Sequence, residues 1–277
     1  MKHATNGPRG KPSSTLRDYG RIVSVDPYPR TLAFASNYNF RDVGGYAGLD
    51  GRTVRWRQLF RADSLHRLAG DDWAAFADLG IRTVIDLRRG FEIDQHGRVP
   101  AADGQTYLNA VLDHVEWKDV PHPDGIRHER WLADRYLNFI EDGRAGIAAA
   151  LSAIADPGAA PVVVHCMAGK DRTGVVCALA LSLVGVSDDD IATDYALTEV
   201  SMRSLTDYLR VHNPKAVEGN DHMFDSPREA MLLFLADLRE RHGSVADFAG
   251  EIGLSGAQLS ALRGHLLTPA PAVPAGL

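Results

Sequence analysis

The chain has 277 residues, and its content of 45% hydrophobic and 24% charged residues is ordinary for a soluble globular enzyme. Its formal net charge of −6 gives no reason to expect general binding to nucleic acid or to anionic membranes. Two cysteines are too few for a disulfide framework and indicate a reducing compartment, so we expect a cytoplasmic protein.

The N-terminal segment, residues 1–30, is rich in Gly, Pro and Ser and shows no hydrophobic periodicity, so we expect a flexible leader. Residues 1–20 lack the apolar core of a signal peptide, although secretion that needs no such peptide stays open. The longest apolar run, residues 175–186, is short for a membrane span and predicts a buried helix.

Extended and helical patterns alternate after the leader, and turn residues separate them. The first predicted elements are a hairpin around Asp50-Gly51, a strand at 59–63, a helix at 73–79, strands at 81–88 and 105–112, a loop at 113–125, helices at 127–141 and 144–155, and a strand at 161–164. The later elements are helices at 175–181, 188–200, 201–211, 226–242, 244–252 and 255–266. Ser187 is the expected N-cap of one helix, and the sequence Ser226-Pro227-Arg228-Glu229 predicts a capping box for another.

This order predicts an α/β fold with a central, mostly parallel sheet that is flanked by helices. The strands in the first half of the chain need the later helices to cover them, because a parallel sheet is buried on both faces. Residues 31–267 are therefore predicted to form a single domain, followed by a tail at residues 268–277.

One polar loop separates the last predicted strand from the long apolar helix, and its sequence is His165-Cys166-Met167-Ala168-Gly169-Lys170-Asp171-Arg172-Thr173-Gly174. A strand, a tight loop and a helix N-terminus direct backbone N–H groups and the positive end of the helix at one point. Cys166 at the floor of this cradle is the expected nucleophile, since a thiolate is stabilised there. Arg172 begins the helix, and its planar guanidinium can bind two phosphate oxygens.

The remaining loop residues have expected supporting roles. Those predicted to bind the substrate are Met167, Ala168, Gly169, Lys170, Thr173 and Gly174. His165 is expected to order the loop, and Thr173 to donate its hydroxyl to the sulfur of Cys166. Glycine permits the turning and close packing that the loop requires. Since Arg172 and the amides neutralise the phosphate charge, we expect no metal and no cofactor.

These residues resemble those of cysteine-based protein tyrosine and dual-specificity phosphatases, and more narrowly the bacterial group that includes mycobacterial phosphatase B. The resemblance depends on the loop and on three further segments, Asn39-Phe40-Arg41-Asp42-Val43-Gly44-Gly45, Leu59-Phe60-Arg61-Ala62-Asp63 and Asp86-Leu87-Arg88. It implies a tyrosine phosphatase-like fold and a phosphocysteine intermediate. It also implies phosphorylated protein substrates, with broad specificity that extends to phosphoserine, phosphothreonine and phosphoinositides. The helices at 188–211 could form a lid, as in that group, or pack ordinarily on the sheet.

The general acid is the open question of the sequence. None of the four tryptophans precedes a Pro-Asp pair, so the Trp-Pro-Asp loop of many tyrosine phosphatases is absent. Asp171 resembles the in-loop aspartate of the bacterial group and is the expected acid, although it could only orient Arg172 or cap the helix. Asp86 is the first alternative, and an aspartate of residues 113–124 is the second. Asp86 could instead belong to a salt-bridged strand end with Arg88.

Other interpretations stay open at this point. A lipid or small-metabolite phosphatase would use the same loop, and a sulfurtransferase or arsenate reductase would carry sulfur or arsenic on it. No further cysteine is placed to resolve a covalent intermediate, since Cys177 lies in an apolar helix and is expected to be a core residue. A non-catalytic phosphate-binding module would not need Cys166 and Arg172. The eleven histidines show no metal-ligand spacing.

Overall fold

The structure is a computed structural model, and it describes residues 28–117, 120–212, 214 and 225–269. Most of the predicted leader and tail, residues 1–27 and 270–277, lies outside the described residues. None of the described helices is both long and apolar enough to cross a membrane.

A five-stranded sheet forms the centre of the fold, with the strand order β1-β2-β5-β3-β4. The strands are β1 (Arg41–Asp42), β2 (Leu59–Ala62), β3 (Thr83–Asp86), β4 (Thr106–Asn109) and β5 (Val162–His165). Only β1 and β2 are antiparallel, and the other neighbouring pairs are parallel, which confirms the predicted α/β class. The register places Ala62 and Asp86 on either side of His165, so three carboxyl ends meet where the polar loop begins.

Helices cover both faces of this sheet. In the described part of the chain they are α1 (Gly70–Ala77), α2 (Gly90–His96), α3 (His128–Asp142), α4 (Arg144–Ala155), α5 (Asp171–Leu183), α6 (Asp188–Ala196), α7 (Thr198–His212), α8 (Arg228–His242), α9 (Val245–Glu251) and α10 (Gly256–Leu266). Successive strand residues point to opposite faces, so Val162 and Val164 join a large apolar core with α3, α4, α5 and α8. Val163 joins a smaller core that contains Phe76 of α1.

One helix, α2, was not predicted from the sequence. Its seven residues bury only Glu92 and leave Phe91 exposed, so they show no apolar periodicity. The predicted hairpin is present as a turn with one antiparallel bridge, between Ala47 and Thr53, and further backbone hydrogen bonds join Gly45 and Tyr46 to Val54. In that turn, Asp50 and Gly51 both have positive φ, as a two-residue hairpin turn requires.

The predicted capping box at the start of α8 is wrong. The N-cap is Pro227, which cannot cap through its side chain, and the helix begins one residue later than the box requires. Ser226 therefore lies too far from the N3 amide, and its buried hydroxyl has no hydrogen-bond partner among the described residues. The predicted cap at Ser187 is present, since its hydroxyl accepts a hydrogen bond from the backbone N–H of Asp190.

Residues 188–211, predicted to form a lid or to pack ordinarily on the sheet, form two helices that differ in how deeply they are buried. Helix α6 is packed on α5 and α8 and buries four residues, namely Ile191, Ala192, Asp194 and Tyr195. Helix α7 buries only Thr198, Met202 and Thr206, while Val200 and Val211 are exposed. The first half of the segment is thus part of the helical cover of the domain, and only α7 is loosely packed.

Candidate active site

The polar loop runs from β5 to α5 and brings together three residues that the sequence singled out, Cys166, Asp171 and Arg172. Cys166 directly follows β5 and is only 3% exposed, so its sulfur lies at the floor of the loop. Asp171 and Arg172 are the first two residues of α5. The backbone N–H groups of Ala168, Gly169 and Asp171 donate to no acceptor within the described ranges, and this leaves them for an anion.

Gly169 is the residue on which the turn of this loop depends. Its φ is +66°, and a Cβ added to it would lie 2.4 Å from the carbonyl oxygen of Ala62 in β2. Any other side chain would therefore push the loop away from the sheet edge. Gly174 is a milder case, since its added Cβ would lie 3.1 Å from the ring of Tyr195.

Replacing Gly169 by alanine is expected to lower the free energy of unfolding by about 3 kcal/mol and to reduce phosphate-ester hydrolysis at least about tenfold. The matched control is Gly80→Ala, because Gly80 has the same φ of +66° but no atom within 4 Å of its added Cβ. Chemical denaturation and steady-state rates compare the two variants. Equal losses of stability, with full activity in both, would contradict the close contact at Gly169.

Arg172 is held by Glu92 of α2, a residue that the sequence analysis missed. The two terminal nitrogens of Arg172 donate to Glu92 Oε2 at 2.6 Å and Oε1 at 2.8 Å. Glu92 Oε2 also accepts from the backbone N–H of Arg89, so the Glu92 side chain satisfies one free donor at the N-terminus of α2. This bidentate pair uses two of the five N–H groups of the guanidinium and leaves three for other acceptors.

The electrostatics of this pair keep both groups charged. Burial alone would lower the pKa of Arg172, but its hydrogen bonds to Glu92 and the nearby Cys166 outweigh burial and raise that pKa. Burial alone would raise the pKa of Glu92, yet Arg172 lowers it. No local sequence pattern singles out Glu92, because Arg89 at the N-cap does not fit the Ser/Thr pattern of a capping box.

Asp171 lies in a hydrogen-bond chain with two buried tyrosines. The hydroxyl of Tyr136 donates to Asp171 Oδ1 at 2.8 Å and also forms a hydrogen bond with the hydroxyl of Tyr195. Lys170 Nζ lies 3.5 Å from the same carboxylate oxygen. The side chain of Asp171 keeps 23% of its surface exposed, so it can exchange protons with water. The N-cap of α5 is Lys170, so Asp171 does not serve as the cap.

Asp86, the first alternative acid, belongs instead to a buried ion-pair network. It has no exposed surface, and its carboxylate accepts from Arg88 Nη2 at 2.7 Å and from the hydroxyl of Tyr107 at 2.8 Å. Burial would raise the pKa of Asp86, but the neighbouring His165 and the hydrogen bonds and charge of the Arg88 guanidinium lower it. A carboxyl group that is held ionised has no proton to donate, so the salt-bridged strand end is the better interpretation.

His165 lies between this network and the loop. Its Nδ1 faces the carbonyl oxygen of Cys166 at 3.3 Å, and its Nε2 lies 3.6 Å from Asp86 Oδ2. Burial lowers the pKa of His165 despite the nearby carboxylate, which favours a neutral ring. These contacts fit the expected role in ordering the loop.

Lys170, which is expected to bind the substrate, is only 1% exposed. One expectation about the loop needs correction. The buried hydroxyl of Thr173 has no hydrogen-bond partner among the described residues, and the expected bond to the sulfur of Cys166 is absent there. The remaining predicted binding residues, Met167 and Ala168, are partly exposed on the loop. Cys177 is buried in α5, and burial raises its pKa to about 11.

In the part of the chain that the structure describes, no group of three or more His, Cys, Asp or Glu side chains is placed to hold a metal ion.

Comparisons with known proteins give consistent results. The family model described as "Tyrosine phosphatase family" matches residues 32–268. The chain is 29% identical to the triple specificity protein phosphatase PtpB of Mycobacterium tuberculosis, over 83% of this chain and 96% of that protein. It is 31% identical to a putative tyrosine-protein phosphatase of Cupriavidus necator, over 59% of this chain and 61% of that one. A tyrosine-protein phosphatase of Nostoc commune is 27% identical over 74% of this chain and 73% of its own.

Proposed function

We propose that this chain, which belongs to the tyrosine phosphatase family and is a cysteine-based phosphatase, hydrolyses phosphotyrosine in proteins. Its proposed catalytic residues are Cys166, Arg172 and Asp171. The observation that carries this assignment is the convergence on one loop of a buried cysteine, free backbone amides and a guanidinium already oriented by Glu92. Such a set can bind a phosphate dianion and place a nucleophile beneath it.

The reaction proceeds in two displacements. In the first, the thiolate of Cys166 attacks phosphorus, an S–P bond forms, and the ester P–O bond breaks while Asp171 gives its proton to the leaving oxygen. In the second, water attacks phosphorus and gives a proton to Asp171, and the S–P bond breaks to release phosphate and the thiolate. Arg172 and the loop amides bind the equatorial oxygens in both steps.

Asp171 is held from the core side by packed aromatic rings. Trp117 stacks on Phe139 with ring centroids 5.6 Å apart, and Phe139 stacks on Tyr136 at 6.0 Å. Tyr136, which donates to Asp171, and Phe139 are fully buried, so they position the carboxylate and do not contact the substrate. The choice of phosphotyrosine as the preferred substrate therefore rests on the family. The name of the mycobacterial relative suggests broader specificity, so we include phosphoserine and phosphothreonine among the proposed substrates.

Hydrolysis of an aryl phosphate in the presence of EDTA tests the proposed reaction. We expect release of inorganic phosphate and inhibition by vanadate, which resembles the five-coordinate transition state. Phosphopeptides and phosphoinositides, compared by kcat/KM, then separate protein from lipid substrates. Transfer of sulfur from thiosulfate, or reduction of arsenate, without ester hydrolysis would overturn the proposal.

Replacing Asp171 by asparagine tests the assignment of the acid. We expect kcat/KM to fall about 100-fold with a phenyl phosphate and much less with a nitrophenyl phosphate, because a good leaving group needs no proton. The decline of the rate toward high pH, where a general acid loses its proton, is expected to disappear. Equal losses on the two esters, or an unchanged pH–rate profile, would remove Asp171 from this role.

Two further expectations are part of the proposal. The apolar core cluster includes residues from Val43 to Leu267, which supports a single domain at residues 31–267. Both cysteines are free thiols, and this supports a reducing compartment such as the cytoplasm.

A further inference from the structure

The carbonyl oxygens of the phosphate loop are held from the side of the sheet by buried groups. Met167 O accepts from the backbone N–H of Ser64 at 3.0 Å, and Ala168 O accepts from Asn39 Nδ2 at 3.0 Å. Gly169 O accepts from Arg61 Nη2 at 2.9 Å. In a trans peptide the C=O and the following N–H point in opposite directions. Holding these carbonyls on one side therefore turns the N–H groups that follow them, among them those of Ala168 and Gly169, to the other side, where a phosphate would bind.

Asp194 of α6 joins the two side chains that hold these carbonyls. Its Oδ2 accepts from Arg61 Nη1 at 2.7 Å, and its Oδ1 accepts from Arg41 Nε at 3.2 Å. Arg41 also donates to the side-chain oxygen of Asn39, which directs Asn39 Nδ2 toward the loop. All four side chains are almost completely buried. We call Asn39, Arg41, Arg61 and Asp194 the loop clamp.

The charges of the loop clamp also suit an anion site. One carboxylate faces two guanidiniums, so the clamp has a net positive charge beneath the loop. Burial would raise the pKa of Asp194, but Arg41 and Arg61 lower it to about 2, and the carboxylate therefore stays ionised at neutral pH. Arg61 in turn interacts favourably with negative charge on Cys166.

We propose that Asp194 is a positioning residue for the phosphate loop, acting through Arg61 and through Arg41 and Asn39 to turn the loop amides toward the substrate. The inference rests on the function proposed above. It assigns to α6, a helix outside the phosphate loop, a part in binding the transferred phosphoryl group. Because the four clamp residues are buried beneath the loop, the clamp acts through the geometry and the field of the loop.

Two clamp variants and one matched control test this role. Asn39→Ala removes the donor to Ala168 O without leaving a buried charge, and Asp194→Asn removes the charge that both arginines share. The control is Tyr46→Phe, because the Tyr46 hydroxyl also donates to Asp194, at 3.3 Å, but has no contact with the loop. The inhibition constant of vanadate, kcat/KM for an aryl phosphate and the melting temperature are measured for each.

We expect Asn39→Ala to weaken vanadate binding and kcat/KM about tenfold, and Asp194→Asn to weaken both further, because misdirected amides bind the transition state poorly. Tyr46→Phe is expected to bind vanadate like the wild type, whatever its melting temperature. If Asp194→Asn does not fold, the vanadate affinity and kcat/KM of Asn39→Ala alone decide whether the clamp acts on the loop.

Folded Asn39→Ala with the vanadate affinity of the wild type would overturn the clamp while leaving the phosphatase function intact. A wild-type protein that neither hydrolyses the aryl phosphate nor binds vanadate would instead overturn the proposed function. The two failures are therefore distinguishable in one set of measurements.

Discussion

Replacing Cys166 by serine is expected to abolish turnover, with kcat reduced at least about 10⁴-fold. A serine hydroxyl stays protonated at neutral pH and is a much weaker nucleophile than a thiolate. The loop amides and Arg172 are unchanged by the substitution, so inorganic phosphate should still bind with nearly the wild-type affinity. Steady-state hydrolysis of an aryl phosphate and calorimetric titration with phosphate measure the two effects separately.

The other cysteine provides the matched control for this variant. Cys177 is buried, as Cys166 is, but it lies within α5 and not in the loop. Cys177→Ala is expected to reduce stability by about 1 kcal/mol and to keep most of the activity. Cys166→Ser with substantial turnover, or loss of turnover in Cys177→Ala alone, would show that the nucleophile has been misassigned.

Arg172→Lys is expected to reduce kcat/KM by about 10³-fold, the second largest effect of any single substitution. A lysine ammonium keeps the charge but loses the planar set of donors that can bind Glu92 and a phosphate together. It also leaves Glu92 without its bidentate partner inside the site. The rate with an aryl phosphate and the affinity for vanadate should fall together, because the same N–H groups bind the ground state and the transition state.

Glu92→Gln extends this test to the residue that orients Arg172. The amide keeps the shape of the side chain but loses one acceptor and the negative charge, so we expect kcat/KM to fall about tenfold. Because Glu92 acts through Arg172, the double variant should be no worse than Arg172→Lys alone. Losses that add fully in the double variant would show that Glu92 acts independently of the guanidinium.

The sequence by itself determined the features that depend on residues close together along the chain. The limits of α4 agree with the prediction at both ends, since its alanine-rich run ends at a Pro-Gly turn. Strand β5, the polar loop and the start of α5 are contiguous, and an apolar strand followed by Cys166 and Arg172 at fixed spacing can be identified without a structure. The family resemblance depends on the same local motifs.

Only the tertiary structure decided which charged residues meet around that loop. Glu92 lies 80 residues from Arg172, and Arg61 lies 133 from Asp194, so neither pairing has a local sequence pattern. Asp86 and Asp171 are both aspartates near the site, and only the tertiary structure distinguishes a fully buried ion pair at Asp86 from a partly exposed carboxylate at Asp171. The parallel register brings the strand ends together, and helix packing then places α2 and α6 against them. Side-chain partners follow from that packing, because a charged residue carries no periodicity that would reveal its partner.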